Sequence, residues 1–397
     1  WPAIAAPKPA RLRALVARRL LARGARRAGV HVVGDGLDLG PADGPVLTVR
    51  DADAFLTRLA RDGKIGFGEA YMAGDWDALE LVEVLTPMAR DLPRLVPAKL
   101  QWLRAVYDAR HPAAEDNDPG GSRRNIARHY DLSNELFALF LDASMTYSAA
   151  LFNFPGESLE AAQARKIDRL LDQVGCKPGT RLLEIGTGWG ELALRAGQRG
   201  ATVTSVTLSV EQAELARQRI AAAHLAASVD VHVQDYREVT GRFDAIVSVE
   251  MIEAVGARWW PTYFRTLQDR LAPGGKIGLQ AIVMPHDRML ASRRSWTWIH
   301  KYIFPGGQLP SVTAIDQVLA EHTDLQVSDR LCFGTAYADT LLAWRTRFLQ
   351  NADAVDAAGF DETFRRMWTF YLAYCEAGFR AGYLDVTQLI LTRRDGR

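Results

Sequence analysis

Between residues 181 and 282 short apolar runs alternate with stretches of helical spacing. The runs are Arg181 to Ile185, Thr202 to Thr207, Val229 to Val233, Phe243 to Val249 and Lys276 to Ile282. Turn residues bound them, as Pro273-Gly274-Gly275 does before the last, and the pattern predicts parallel strands joined by right-handed helical crossovers. The expected architecture is a doubly wound α/β sheet. Upstream, Val46 to Val49 reads as a strand and Ala52 to Arg61, Leu79 to Leu85 and Lys99 to Tyr107 as helices, which predicts a smaller α+β domain over residues 1–110. The polar stretch His111 to Ser122, with two prolines and two adjacent glycines, has the composition of a linker. The second domain then runs over 123–397. Its part from about Met289 to Tyr383 is rich in Trp, Tyr and Phe and largely helical in pattern. It is expected to form a helical lid over the carboxyl edge of the sheet, although core packing is the plainer fate for most of these aromatics.

Composition changes this picture in one place. The chain has 397 residues, 48% hydrophobic and 24% charged, with a net charge of +1, which gives no global case for a nucleic-acid partner. Lys8 to Arg27, however, carries eight Lys/Arg and no acid, with Leu12, Leu15, Val16, Leu20 and Leu21 at near-helical spacing between them. Such a basic amphipathic helix suits an anionic membrane surface, or else a solvated face of its own domain. No apolar run approaches the roughly 18 residues of a spanning helix and no signal-peptide core is visible, so a cytoplasmic location is expected. Cys176, Cys332 and Cys375 are odd in number and scattered, which predicts buried, reduced thiols and neither a disulfide framework nor a metal site.

Ligands of open α/β sheets bind at the carboxyl ends of the strands, and that is where the polar residues gather. Arg181-Leu-Leu-Glu184-Ile-Gly186-Thr187-Gly188-Trp189-Gly190 is a strand ending in an acid and three alternating glycines, which lets a backbone turn approach a ligand closely. A dinucleotide site would need a third fingerprint glycine where Glu191 stands and an acid about 20 residues on. The second strand ends instead in Thr207-Leu208-Ser209-Val-Glu-Gln212, which can cap the next helix, hydrogen-bond a ribose, or both. After the third strand, Asp235 is placed to accept the adenine amino group and Tyr236 to stack on the ring. After the fourth come Glu250 and Glu253. Two buried carboxylates three residues apart need a cation or a shared proton, unless one is solvated, a role expected of Glu250 before Glu253. The E-x-G-x-G-x-G spacing with its leading acid resembles motif I of the class I methyltransferases, whose Rossmann-like fold and S-adenosylmethionine cofactor this resemblance implies.

From about Arg123 to the end the chain resembles the cyclopropane fatty acid synthases and the related mycolic acid methyltransferases. The shared motifs are Arg128-His-Tyr-Asp131-Leu-Ser-Asn134, Met145-Thr-Tyr147-Ser148, the glycine motif, Thr207 to Gln212, Gln234-Asp-Tyr-Arg237, Val247-Ser-Val-Glu250, Lys301-Tyr-Ile-Phe-Pro-Gly306 with Leu309-Pro-Ser311, and Tyr337 before Thr340-Leu-Leu-Ala-Trp344. Matched residue by residue, the resemblance assigns the methyl donor to Tyr147, Ser148, Glu184, Gly186, Thr187, Gly188, Gly190, Thr207, Leu208, Ser209, Gln212, Asp235 and Tyr236. It implies methyl transfer to the cis double bond of an unsaturated fatty acyl chain on a phospholipid, at the inner face of a membrane. In cyclopropane-forming members a cysteine, a glutamate, a histidine and a tyrosine hold a bicarbonate ion as the base. Here Glu253, Ile282 and Tyr337 match, but the cysteine position is Ala149, the histidine position is Gln280, and the histidine after the glutamate is Ala254. Losing these partners weakens the case for bicarbonate and leaves two alternatives, Glu253 or Glu250 as a direct base or a bicarbonate held through a rearranged set.

The segments Gln280 to Met289 and Glu250 to Gly256 resemble the actinobacterial branch associated with tuberculostearic acid. That implies a 10-methylene acyl product from an oleoyl chain, for reduction by a separate enzyme, with a cyclopropane product as the alternative. A non-catalytic lipid-binding homologue, or methylation of nitrogen or oxygen on a small molecule, would fit fewer of these residues. In the N-terminal domain Glu69-Ala-Tyr71-Met-Ala-Gly74-Asp75-Trp76 resembles a motif of the longer family members, whose extra domain is associated with membrane docking and homodimer formation.

Overall fold

The computed structural model describes residues 1–5, 7, 11–91, 117–118, 120–122, 133–293 and 295–394. The helix expected at Lys99 to Tyr107, most of the expected linker and most of the Arg128 to Asn134 motif lie outside them. The chain divides into two compact units: Trp1–His111 with Arg294–Ile303 and Leu341–Tyr383, and Pro112–Arg293 with Phe304–Thr340 and Leu384–Arg397.

In the first unit, β1 (His31–Gly34), β2 (Leu37–Leu39), β3 (Val46–Val49) and β4 (Trp76–Asp77) form a sheet in the order β2-β1-β3-β4. The helix Ala52–Ala73 starts where the Asp51 side chain accepts from the Ala54 amide and stops at Gly74, whose φ of 81° suits a left-handed cap. It extends past the expected Arg61, with a break at Gly63. The Glu69 to Trp76 motif is structural here. Glu69 is fully buried and accepts from Lys301 and Tyr302, Asp75 pairs with buried Arg58 at 2.9 Å, and the Arg366 guanidinium lies 4.3 Å from the Tyr71 ring centroid. Trp76 sits among aromatic rings, 4.6 Å from Phe67 between centroids, while Phe370 lies 5.3 Å from Tyr71 and 4.8 Å from Trp298. This corrects the lid expected at about 289–383. The helix Glu362–Arg380 spends its aromatics on the core of this first unit, where Phe364, Trp368 and Phe370 are buried and Phe370 meets Tyr71, Trp76 and Trp298 in tilted or edge-on contacts. The helix Arg11–Ala28 buries Ala17, Leu21 and Ala25 and leaves Leu15, Val16 and Leu20 exposed.

In the second unit, β5 (Arg181–Ile185), β6 (Thr202–Thr207), β7 (Val229–Val233), β8 (Phe243–Val249), β9 (Leu271–Val283), β10 (Leu325–Cys332) and β11 (Asp385–Arg393) form a sheet in the order β10-β11-β9-β8-β5-β6-β7. β5 to β9 pair in parallel and β11 runs antiparallel between β9 and β10. Central strands are apolar on both faces, as a sheet covered by helices on both sides demands. Leu183, Ile185 and Ile246 pack into one core, and Leu182, Val203, Ala245 and Val247 into the other. Pro273-Gly274-Gly275 bulges out of β9, since Phe243 pairs with Leu271 but Ala245 with Lys276. Cys176 is buried, but Cys332, on the edge strand β10, is exposed, contrary to expectation.

Trp76 is fully buried, and replacing so large a ring by alanine leaves a cavity. Trp76→Ala is expected to cost about 3–5 kcal/mol, read as a lower denaturation midpoint; an unchanged midpoint would contradict the packing described.

Candidate active site

The glycine turn leaves β5 at its carboxyl end. Gly186, Gly188 and Gly190 have φ of 96°, 52° and 90°, a region that side chains disfavour. Their roles differ: a Cβ on Gly190 would meet Ala216 at 3.0 Å, so this glycine packs against the helix Val210–Ala222, whereas Gly188 faces open space. The turn is tied to β6 by the Gly186 amide, which donates to the Val206 carbonyl. Below it, the Thr187 and Ser205 hydroxyls are 2.7 Å apart and Ser205 donates to the Glu184 carboxylate at 2.5 Å. Tyr147, Ser148, Glu184, Gly186, Thr187, Gly188, Thr207, Leu208, Gln212, Asp235, Tyr236 and Glu250 all line one cavity.

Other expected residues support that wall. Ser209 accepts from the Gln212 amide as a helix cap, and Thr207 donates to the Gln212 side chain at 2.9 Å, so the capping role is realised beside the cavity. Asp235, expected to accept from an adenine, lines the cavity and is already engaged by its neighbour. Its two carboxylate oxygens take Arg237 at 2.8 and 2.6 Å and the Arg237 amide at 2.9 Å, because the two residues close a tight helical turn on each other. Tyr236 packs edge-on to Tyr263, and its buried hydroxyl has no hydrogen-bond partner among the described residues.

No motif marks Lys166. It comes from the helix Leu159–Gln173, lines the same cavity, and donates to the Ser148 hydroxyl at 2.5 Å, while Gln163 donates to the Ser148 carbonyl at 2.8 Å. The overlooked signal is its phase: Lys166 falls on the buried stripe with Ala162, Ile167 and Leu170. Burial pulls the Lys166 ammonium down to about 8, against the attraction of Glu250, Asp142, Glu184 and Glu191. Burial likewise pushes Glu184 up to about 8, against the Ser205 hydrogen bond and the Lys166 charge. A cation entering the cavity would restore ionisation of its carboxylates.

The chemistry-bearing wall gathers on Glu250. Its Oε1 accepts from the Ala149 amide at 2.9 Å and from Gln280 Nε2 at 2.8 Å, and its Oε2 accepts from the Tyr337 hydroxyl at 3.0 Å. It is therefore not the solvated member of the pair. Burial raises its pKa, and Lys166 and these three donors draw it back. Glu250 also has a φ of 49°, a strained value for a residue with a side chain, of the kind that marks functional sites. Glu253 accepts from the Ile282 amide at 2.5 Å, and its second oxygen is buried with no partner among the described residues. Burial and the neighbouring Glu250 charge push it up to about 8.

Residues 119–389 match the family described as mycolic acid cyclopropane synthetase. The chain is 52% identical to the tuberculostearic acid methyltransferase UfaA1 of Mycobacterium tuberculosis, over 99% of this chain and 95% of that one. It is 35% identical to the cyclopropane-fatty-acyl-phospholipid synthase of Escherichia coli, over 92% and 91%. The mycolic acid cyclopropane synthase CmaA1, in complex with S-adenosylhomocysteine (SAH) and CTAB, superposes with a TM-score of 0.62 at 30% identity, covering 68% of this chain and 97% of that one. The cavity fits S-adenosylmethionine, the methylated sulfonium form of that ligand: Gly188 leaves an open cradle, and buried Glu184 with its raised pKa suits a cation.

Because the pKa of Glu253 is raised on folding, its stabilising effect is complete below the usual 4.5 and is lost as pH rises through about 8. Glu253→Gln keeps an acceptor for the Ile282 amide and removes the titration. The variant's melting temperature is expected to gain on that of the native protein between pH 5 and pH 8; parallel curves would contradict the assignment.

Proposed function

We propose, for a chain that belongs to the mycolic acid cyclopropane synthetase family and is an S-adenosylmethionine-dependent methyltransferase, that it methylates the cis double bond of an oleoyl chain on a phospholipid, giving a 10-methylene product. The observation that carries this reading is the anchorage of Glu250. Family resemblance assigns a bicarbonate base to the positions of Ala149, Glu253, Gln280, Ile282 and Tyr337. In this chain three of those groups, the Ala149 amide, Gln280 and Tyr337, donate to Glu250, and a fourth, the Ile282 amide, donates to Glu253. The donors a bicarbonate would need are taken by two carboxylates of the chain itself.

S-adenosylmethionine, when bound, supplies an electrophilic methyl group on a positively charged sulfur. Methylation of one alkene carbon leaves a cation on its neighbour, which a nearby carboxylate stabilises better than water excluded from the site would. A hydride shift moves that cation to the methylated carbon. A base placed to take a proton from the new methyl group then gives the exocyclic methylene, whereas closure with loss of that proton before the shift gives a cyclopropane. Glu250 is fixed in position by its three donors, and its raised pKa makes it a stronger base than a free carboxylate. The identity of 52% to a tuberculostearic acid methyltransferase, against 35% to a cyclopropane synthase, favours the methylene outcome. The saturated methyl branch then requires a separate reductase.

The substrate lies in a bilayer, and the helix Arg11–Ala28 suits one as a peripheral docking element. Leu15, Val16 and Leu20 are exposed together with Arg18, Arg19, Arg23 and Arg26, an apolar and basic combination that binds anionic lipid. No described helix is long and apolar enough to cross a membrane.

Three measurements test these readings. Lipids from a host lacking its own cyclopropane synthase should show vinylidene protons by NMR when this chain is expressed; high-field cyclopropane protons without them would overturn the methylene product. Glu250→Gln should lower methyl incorporation by at least about a hundredfold, the smaller end of general-base effects, with SAH binding retained. For the docking helix, reversing charge at Arg18 and Arg19 should weaken sedimentation with phosphatidylglycerol vesicles, and unchanged sedimentation would remove that role.

A further inference from the structure

Behind Gln280 a line of hydrogen bonds runs outward through residues that no resemblance assigns. Gln280 Oε1 accepts from Gln388 Nε2 at 3.0 Å, and Gln388 Oε1 accepts from Arg169 at 2.7 Å. Arg169 in turn pairs with Asp329 at 2.8 Å, half-exposed at the surface. Gln388 is fully buried, on β11, and Gln280 is 1% exposed, on β9, where the two residues are direct partners across the antiparallel ladder.

An amide can present either end, but a guanidinium only donates. Arg169 therefore requires the oxygen of Gln388, which turns the Gln388 NH₂ toward Gln280. Gln280 must then offer its own oxygen to Gln388 and its NH₂ to Glu250. Two backbone acceptors reinforce the same order: the Lys166 carbonyl takes the Gln388 NH₂ at 3.2 Å, and the Ala149 carbonyl takes the Gln280 NH₂ at 3.2 Å. The opposite orientation would put the Gln280 oxygen against the Glu250 carboxylate and would require Glu250 to carry a proton.

We propose that Gln388, oriented by Arg169, is a positioning residue that locks the Gln280 amide with its donor toward Glu250 and so holds that carboxylate in the ionised, proton-accepting form. The proposal rests on Glu250 as the base. Other charged or titratable groups bearing on Glu250 are Lys166, Tyr337 and Glu253; Gln388 touches Lys166 at the backbone carbonyl, while the Lys166 ammonium lies on Ser148.

The test is the pH dependence of kcat for methyl transfer to oleoyl phospholipid vesicles by the full chain. Gln388→Leu removes the donor to Gln280. Gln388→Glu keeps the shape and the Arg169 contact while drawing the Gln280 NH₂ away from Glu250. Both variants are expected to move the acidic limb of kcat upward by about one to two pH units, the worth of a charge-assisted hydrogen bond. KM for S-adenosylmethionine should change little. Infrared difference spectra of the ligand-free protein, with the Glu250 signal isolated by subtracting E250Q, should show the carboxylate protonating over the same raised range. Arg169→Met, at the half-exposed end, should move the limb the same way if the buried variants fail to fold. Folded variants with an unmoved acidic limb and an unmoved infrared titration would overturn the proposal. If E250Q remains active, it is the assignment of the base that fails; if E250Q is inactive while the limb of the Gln388 variants stays put, only the relay fails.

Discussion

A carboxylate enclosed in the wall of a cavity is unfavourable unless donors converge on it, and the arrangement of the second unit turns on how it supplies them to Glu250. The donors come from the segment after Tyr147-Ser148, from the middle of β9 and from the helix Gly334–Gln350. The backbone contributes as well, since the Glu250 amide donates to the Gln280 carbonyl at 2.8 Å. A φ of 49° at Glu250 costs on the order of 1–3 kcal/mol and persists only where the surroundings over-determine it. Four hydrogen bonds from three elements do so here.

Charge balance explains the rest of the cavity. Glu184 and Glu250 stand against Lys166 in its lining, and burial raises the pKa of both acids, and of Glu253 beside them, and lowers that of the ammonium. Such a set is poised for a cationic ligand, and a positively charged sulfur is the group that S-adenosylmethionine brings. Glu253, one oxygen of which accepts from the Ile282 amide, is pushed up to about 8 by burial and by the Glu250 charge, so it takes up a proton more readily than a free carboxylate. Two carboxylates with one ionised is the arrangement that an acid–base site of this kind requires.

What the sequence revealed and what it concealed divide along physical lines. β5 and β8 were legible because strands buried on both faces are near-continuous apolar runs, and β6 and β7 because β-branched residues recur in them between turn signals. β10 and β11 were not: β10 alternates as a half-exposed edge strand, and β11 contains Thr387 and Gln388 among its apolar residues. The glycine turn was legible because backbone conformation demands glycine locally. The anchorage of Glu250 was not, because its donors lie 101, 30 and 87 positions away in the chain. The substitutions at Ala149 and Gln280 read as losses in sequence. In the fold they are the space and the donor that a side-chain carboxylate needs. The aromatic lid failed for a related reason: composition could not tell that Phe370 belongs beside Trp298 and Tyr71.

The central claim is that the base is part of the chain. Its most direct test is turnover of oleoyl phospholipid with S-adenosylmethionine in buffer stripped of carbon dioxide, compared with the same reaction after bicarbonate is restored. The account predicts equal rates and the same methylene product in both. A rate that collapses without bicarbonate and recovers on its addition would contradict it.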